Sequence, residues 1–347
     1  MMRRVTLLLV VLALAGCGNL GYYWKSVGGQ LGIWQREAPV EGLLADPALD
    51  PKLKAQLERA LRIREYASRE LGLPDNRSYR AYADLARPFV VWNVFAAPEF
   101  STEARQSCFP FAGCVGYRGY FSEAEARAQA KTLAAEGYDV HVGGVPAYST
   151  IGWFADPLLN TFIHYPEPEL ARLLFHELAH QVVYVKDDTV FNESFATVVE
   201  QAGVARWMNT HGSEADRLQY ARLQRFRADF RELVMRTRSD LATLYASDIP
   251  VDEKRRRKAE AFDALKRAYA AQRQDWGGFA GYDRWFTQPL GNAHLAAVSF
   301  YTQQVPAFEA LLELQGNDLG RFYAAVRELA ALPVAERNQR LSALQSL

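Results

Sequence analysis

The sequence predicts an α+β fold that is predominantly helical, and three observations carry that expectation. Between Ser78 and His164, β-branched and aromatic residues recur in short runs separated by Pro and Gly, as strands require. From Pro166 to about Tyr184 the chain is apolar nearly all round, which marks a helix buried in the middle of a domain. Beyond Gly203 it becomes long, charged and periodic, the pattern of helices with one solvated face. A small β-sheet lobe thus precedes a helical C-terminal part. The 347 residues are 49% hydrophobic and 12% aromatic, enough to bury a sizeable core. Lys+Arg and Asp+Glu number 40 each, so the chain lacks the basic excess that nucleic-acid binding uses.

The N-terminus reads as a processing signal. Arg3 and Arg4 precede an apolar run from Val5 to Ala15, too short to span a bilayer as a mature helix. Leu14-Ala15-Gly16-Cys17 resembles the bacterial lipobox, in which the Cys receives a diacylglyceryl group and the segment before it is removed. That resemblance implies a signal peptide over 1–16 and a mature chain beginning at lipidated Cys17. Its acyl chains, at about 0.8 kcal/mol per buried CH₂, would hold the protein on a membrane surface. Gly18 follows, where the lipoproteins retained at the inner membrane usually carry Asp, so the expected address is the periplasmic face of the outer membrane. Residues 17–32, Gly-rich with Tyr22, Tyr23 and Trp24, read as a lipidated tether ending in docking aromatics.

One domain is expected over 33–347, divided into an α+β lobe (33–165), metal-binding helices (166–210) and a helical subdomain (211–347). Pro47 to Leu71 reads as an amphipathic helix stopped by Gly72 and Pro74. Two strands are expected between Ser78 and Ala97, and another at Gly116 to Phe121. Ser122 with Glu125 fits a capping box, so a short helix should run to Gly137, followed by a strand at Tyr138 to Val142. A further strand is expected around Thr161 to His164. Pro166 and Pro168, flanked by Glu167 and Glu169, mark a helix start. Ser213 to Tyr245 and Val251 to Gln274 suggest an α-hairpin. Helices resume at Ala293, with breaks at Gly316 and Pro333.

With Cys17 assigned to lipidation, Cys108 and Cys114 remain. An oxidising periplasm permits a disulfide closing the Pro/Gly-containing loop between them. A zinc site there is the weaker reading, because no second Cys pair or nearby His completes four ligands.

The chemistry is carried by His176-Glu177-Leu178-Ala179-His180. Residues four apart lie on the same face of a helix, so His176 and His180 can offer two imidazoles to one metal ion. Glu177 lies a step around the helix, within reach of a water on the metal. Twelve residues after His180 comes Asn192-Glu193. Asn192 is a good N-cap, so Glu193 should open a second helix that folds back and supplies a third ligand. Glu200 is a rival ligand, or else a group that orients one of the histidines.

His176-Glu177-Leu178-Ala179-His180-Gln181 followed by Asn192-Glu193-Ser194-Phe195-Ala196 and Glu200 resembles the signature of the gluzincin metallopeptidases. The match is closest to their aminopeptidase branch. The wider pattern, with Gly143-Gly144-Val145, Tyr148-Ser149-Thr150 and Asn292-Ala293, resembles a bacterial family of putative aminopeptidases. The resemblance implies a zincin-like (gluzincin) catalytic core, Zn²⁺ held by His176, His180 and Glu193, Glu177 as general base, and a peptide substrate. The spacer before Glu193 is shorter than in the better-known gluzincins. The segment from Gly143 to Trp153, where the branch recognises a free amine, has no acidic residue. Exopeptidase and endopeptidase action therefore both stay open.

An oxyanion formed at the carbonyl needs a donor. Tyr148, His294 and Tyr301 are the candidates, with Tyr148 and His294 taken forward. His141, His164 and His211 read as structural. The competing expectation is a non-catalytic lipoprotein whose zinc site is structural and whose helical half docks a partner in envelope assembly.

Overall fold

The computed structural model describes residues 21–109, 113–147 and 149–345. The signal-peptide reading, lipidation of Cys17 and the role of Tyr148 fall outside those residues. The fold is α+β and predominantly helical, with three small sheets among the described residues. No helix among the described residues is long and apolar enough to cross a membrane.

Helix α1 covers 21–34, so the segment expected to be a tether is helical. Its glycines suggested a flexible linker, but Ile33 is buried in the main core and anchors it. Strand β1 (Ala38–Pro39), helix α2 (Val40–Ala45) and helix α3 (Pro51–Arg69) follow. Asp50 caps α3 by accepting from the Leu53 N–H at 2.9 Å. Strands β2 (Ala81–Ala83) and β3 (Val91–Pro98) are the two strands expected before residue 98. The hairpin β4 (Ser107–Phe109) and β5 (Gly113–Val115) sets Cys108 opposite Cys114, and the two are disulfide-bonded. Strand β6 (Arg118–Tyr120) leads into α4 (Glu123–Ala135), which Ser122 caps, and then into β7 (Tyr138–Val145).

β6 and β7 flank β3, both antiparallel to it, leaving β7 on one edge of that sheet. Packing of α4 on its far side buries Trp92, Val94, Ala126 and Leu133. Strand β8 (Leu158–Leu159) pairs in parallel with β2, which also pairs with β1. The strand expected at Thr161 to His164 is instead a run of turns. Phe162 and Ile163 both donate to Leu159 O, and Thr161 Oγ1 donates to Pro146 O at 2.6 Å. Those local bonds satisfy the β-branched run without a partner strand.

Helix α5 is Glu167–Ala179 and α6 is Thr189–His211. They pack along each other, and Gly203 makes the approach possible. A Cβ there would lie 2.8 Å from both Phe175 Cδ2 and Leu71 Cδ1, closer than carbon atoms pack. Helices α7 (Glu214–Ala246) and α8 (Val251–Asp275) form the expected hairpin, with their own aromatic core around Phe230, Phe262 and Trp276. Then come α9 (Asp283–Phe286), α10 (Asn292–Phe300), α11 (Val305–Leu314), α12 (Leu319–Ala330) and α13 (Val334–Leu344). Buried Arg337 of α13 bonds the Asp188 carboxylate at 2.7 Å. That carboxylate also caps α6 through the Phe191 N–H, so the C-terminal helices fix the start of α6.

A candidate metal centre in an open cleft

Two helices build the centre. Pro168 sits in the first turn of α5 with Glu167 and Glu169 beside it, where a missing N–H costs nothing and negative charge meets the positive end of the dipole. The helix ends earlier than expected. His180 is already its C-cap, still in the αR region, so His176 and His180 are one turn apart at the helix end. Their rings lie 4.8 Å apart between centroids.

The chain then reverses, with Asp187 at φ 66°, and α6 begins at Thr189 rather than at Asn192. Asp188 supplies the cap. Asn192 has a different task. Its buried side chain accepts from the Val185 N–H at 2.7 Å and donates to Val185 O at 2.8 Å. The turn is thereby pinned to the helix beside Glu193.

Glu193 Oε2 lies 3.1 Å from His176 Nε2 and 3.7 Å from His180 Nε2. One donor atom from each of His176, His180 and Glu193 falls within 4.8 Å of the others. Zinc bonds of about 2.0–2.2 Å in a tetrahedron put ligand atoms roughly 3.3–3.6 Å apart, so the spacing suits such an ion. Glu200, seven residues on, faces the other imidazole nitrogen: its Oε2 lies 3.0 Å from His176 Nδ1. Arg172 Nη1 donates to Glu200 at 3.2 Å, while its Nε donates to Glu169 at 3.1 Å. Arg227 of α7 holds Glu169 in turn, at 2.5 Å. Glu200 therefore orients His176 from behind, and two arginines hold Glu200 and Glu169 in place.

Electrostatics agree with a cation at this point. Three carboxylates (Glu177, Glu193, Glu200) crowd around two imidazoles, with Arg172 as the adjacent permanent cation. Burial alone would lower His176, but its bonds to Glu193 and Glu200 push it up to about 10. The two carboxylates that favour positive charge on His176 would equally favour a cation beside it. Burial lowers His180 to about 4 against the pull of Glu193. Burial raises Glu177 to about 7; His176 opposes the rise and Glu193 adds to it. Glu177 is half-buried and makes no hydrogen bond among the described residues, which leaves its oxygens available to a proton.

The cluster lines a cleft of about 830 Å³. Its walls include Tyr22 and Ser26 from α1, His141 and Val145 from β7, and the 149–151 loop. Arg227 and Arg231 of α7 and Tyr301 after α10 line it too.

A family model described as "Putative aminopeptidase" matches residues 21–341. The chain belongs to that family. No curated protein and no solved structure matches the chain. Membership in the putative aminopeptidase family supports a peptidase reading of the cleft, and with it a peptide substrate.

The structure brings together His176, Glu177, His180 and Glu193, with Glu200 directly behind. It does not bring His294 to the cleft. Among the described lining residues His294 is missing; its Nδ1 accepts from the Gly291 N–H at 3.2 Å and its ring lies 4.2 Å from that of His141. Burial and the neighbouring His141 lower it to about 3, as befits a neutral packing residue. Tyr301 is the one of the three electrophile candidates that lines the cleft in the described residues, its ring centroid 6.3 Å from that of His176. The Glu193 charge, then burial, holds its phenol well above the usual range.

Sequence reasoning missed Tyr117, which also lines the cleft and whose phenol is raised by burial and then by Glu193. The strand-like Gly116–Phe121 run gave no signal that one of its aromatics would line the same cleft as His176 and Glu193. It also missed Arg172, although its spacing of four from His176 places both on one face of α5.

Proposed function

We propose that the chain is a zinc-dependent peptidase of the aminopeptidase type, built on a gluzincin-like core. In this reading lipidated Cys17 holds it on a membrane, facing the periplasm, at the outer membrane. One observation carries the catalytic part. Three donor atoms with ligand spacing sit in an open cleft, beside a carboxylate that makes no hydrogen bond among the described residues. A structural zinc site is closed by four protein ligands, whereas three ligands with an accessible side suit a catalytic one. This weighs against the reading of a non-catalytic assembly lipoprotein.

A zinc ion bound there would supply Lewis acidity and bring the pKa of a water down to about 7. The chain's own residues do the rest. Glu177, poised near neutrality, takes the proton of the attacking water and passes it to the leaving amine. Tyr301 and Tyr117 keep their phenolic protons at neutral pH and can donate to the developing oxyanion. Glu200 and Arg172 hold His176 in one orientation. The carboxylates lining the cleft among the described residues are Glu177, Glu193 and Glu200. Each already has a role, Glu193 on the metal, Glu177 on the proton and Glu200 on His176 and Arg172, so the aminopeptidase part of the reading rests on family membership.

The test is digestion of a peptide library by the purified chain, read by mass spectrometry. Glu177→Gln should retain zinc and lose about 10²–10⁴-fold in turnover, the usual worth of a positioned acid–base group. Loss of single N-terminal residues is the expected product pattern. Turnover unchanged in Glu177→Gln would remove the general-base assignment, and internal cleavage would remove the exopeptidase part.

A further inference from the structure

Helix α1 is amphipathic in the reverse of the usual sense. Its inward face is Tyr22, Ser26, Gly29 and Ile33. The Tyr22 hydroxyl donates to Gly119 O at 2.9 Å, and its ring packs 5.5 Å from that of Tyr120. The guanidinium of Arg118 lies 4.0 Å over the same ring. A Cβ on Gly29 would overlap the Phe121 side chain, so the helix lies directly on β6 and its following turn. Ile33 is fully buried. The helix is thus fixed to the domain by one side.

Its outward face is apolar. Trp24 is 80% exposed, Val27 54%, Leu31 44% and Trp34 36%. Their spacing of three, four and three places them in one stripe. The stripe continues onto the loop after β7. Trp34 and Phe154 rings meet at 4.8 Å, Phe154 is 50% exposed and Trp153 71%. No charged residue lies in the stripe itself. The neighbouring cations are engaged elsewhere, Lys25 with Glu125 at 2.6 Å and Arg36 with Gly32 O at 2.6 Å. Singly exposed apolar residues need no explanation, but a contiguous tryptophan-rich patch on a rigid helix marks an interaction surface.

We propose that this face of α1, with Trp153 and Phe154, rests in the headgroup region of the bilayer to which the chain is anchored. Helices of this kind lie in the interface plane with Trp and Leu buried, and Trp prefers that depth. The position in the chain selects lipid over other occupants. Cys17 stands four residues before Gly21, a span of at most about 14 Å for extended backbone. An acyl chain on Cys17 thus holds the start of α1 within that distance of the bilayer, and the exposed stripe begins three residues into the helix. The contact also bears on the cleft. Tyr22 and Ser26 from the same helix, and Ser149 and Ile151 from the same loop, line it. The docked face and a wall of the cleft thus share two segments, so docking would hold one wall of the cleft against the bilayer.

The inference rests on the anchoring reading, and the experiment separates the two. The lipidated chain is purified from membranes and reconstituted into vesicles of phosphatidylethanolamine and phosphatidylglycerol, with or without brominated acyl chains. Flotation reads anchoring and quenching of tryptophan emission reads docking. Three of the seven tryptophans belong to the patch, so brominated lipid should remove roughly a third of the emission, with the interfacial depth that aromatic anchors take. The triple variant Trp24→Phe, Trp34→Phe, Trp153→Phe should float equally well and show at least about threefold less quenching. High salt should leave the quenching intact, because the face carries no charge to screen. A chain that floats with no quenching overturns the docking alone. Self-association of the floated chain with the same tryptophans shielded from lipid assigns the face to a second copy and also overturns it. A chain that does not float overturns both readings.

Discussion

Replacing Glu200 by Gln separates a metal ligand from a residue that steadies one. The substitution keeps the shape of the side chain and removes its charge. Glu200 Oε2 now faces His176 Nδ1 at 3.0 Å and Arg172 Nη1 at 3.2 Å. A hydrogen bond to a charged group contributes about 1.5–3 kcal/mol and a neutral one about 0.5–1.5 kcal/mol. The difference, about 1–1.5 kcal/mol, corresponds to roughly tenfold weaker zinc binding, at the lower end of the 10–100-fold expected for partners behind a ligand. Arg172 keeps Glu169, so the fold should lose about 1 kcal/mol or less, or about one to two degrees in Tm. Glu193→Ala removes a ligand atom and should weaken zinc by at least an order of magnitude more. The assay is competition for zinc against a chromophoric chelator, with Tm measured alongside. The reasoning fails if Glu200→Gln releases zinc as completely as Glu193→Ala, since Glu200 would then be a ligand. It fails equally if affinity is unchanged, since His176 would then need no partner.

Further outcomes follow from the same geometry. Asn192→Ala removes the partner of the half-buried Val185 N–H at 2.7 Å and one of two donors to Val185 O, which keeps the Asp188 N–H. At about 1–3 kcal/mol for one unsatisfied group, urea denaturation should show a loss of about 1–3 kcal/mol, with weaker zinc binding because Glu193 is the next residue. Acid should destabilise the chain through His141 and His294, lowered by burial to about 4 and about 3. Both are neutral in the fold, whereas the unfolded chain takes up their protons below about pH 6.5. Stability is therefore full above that pH and falls as pH drops toward 4. His141→Phe, beside Phe95, should flatten part of that decline, and an unchanged pH profile of Tm would contradict the assignment.

The site was legible where chemistry depends on short spacing. His176, Glu177 and His180 need only the helical repeat, and Glu193 was marked by its Asn and Phe-Ala neighbours. Its mechanism was misread. Asn192 looks like an N-cap in sequence, but Asp188 takes that place and Asn192 bonds backward to Val185, a contact that exists only once the turn has formed. The end of α5 was placed about five residues late, because Val182, Val183 and Tyr184 continue the apolar pattern while packing as a turn. The run Thr161 to His164 has strand composition, yet its hydrogen bonds go to Leu159 and Pro146. α1 was read as a tether because its glycines suggest flexibility, and the Phe121 ring that makes Gly29 useful is 92 residues away. His294 drew attention as a spare histidine, and only packing shows it turned toward His141. The Arg172–Glu200 and Arg227–Glu169 bonds join residues 28 and 58 apart, beyond the reach of local pattern.

Zinc content of the purified chain tests the central claim most directly. Elemental analysis after removal of loosely held metal should give one zinc per chain. It should fall to background in His176→Ala, His180→Ala and Glu193→Ala, and stay at one in Glu177→Gln. A folded wild-type chain that takes up no zinc, or one that keeps zinc when those three residues are replaced, would contradict the account.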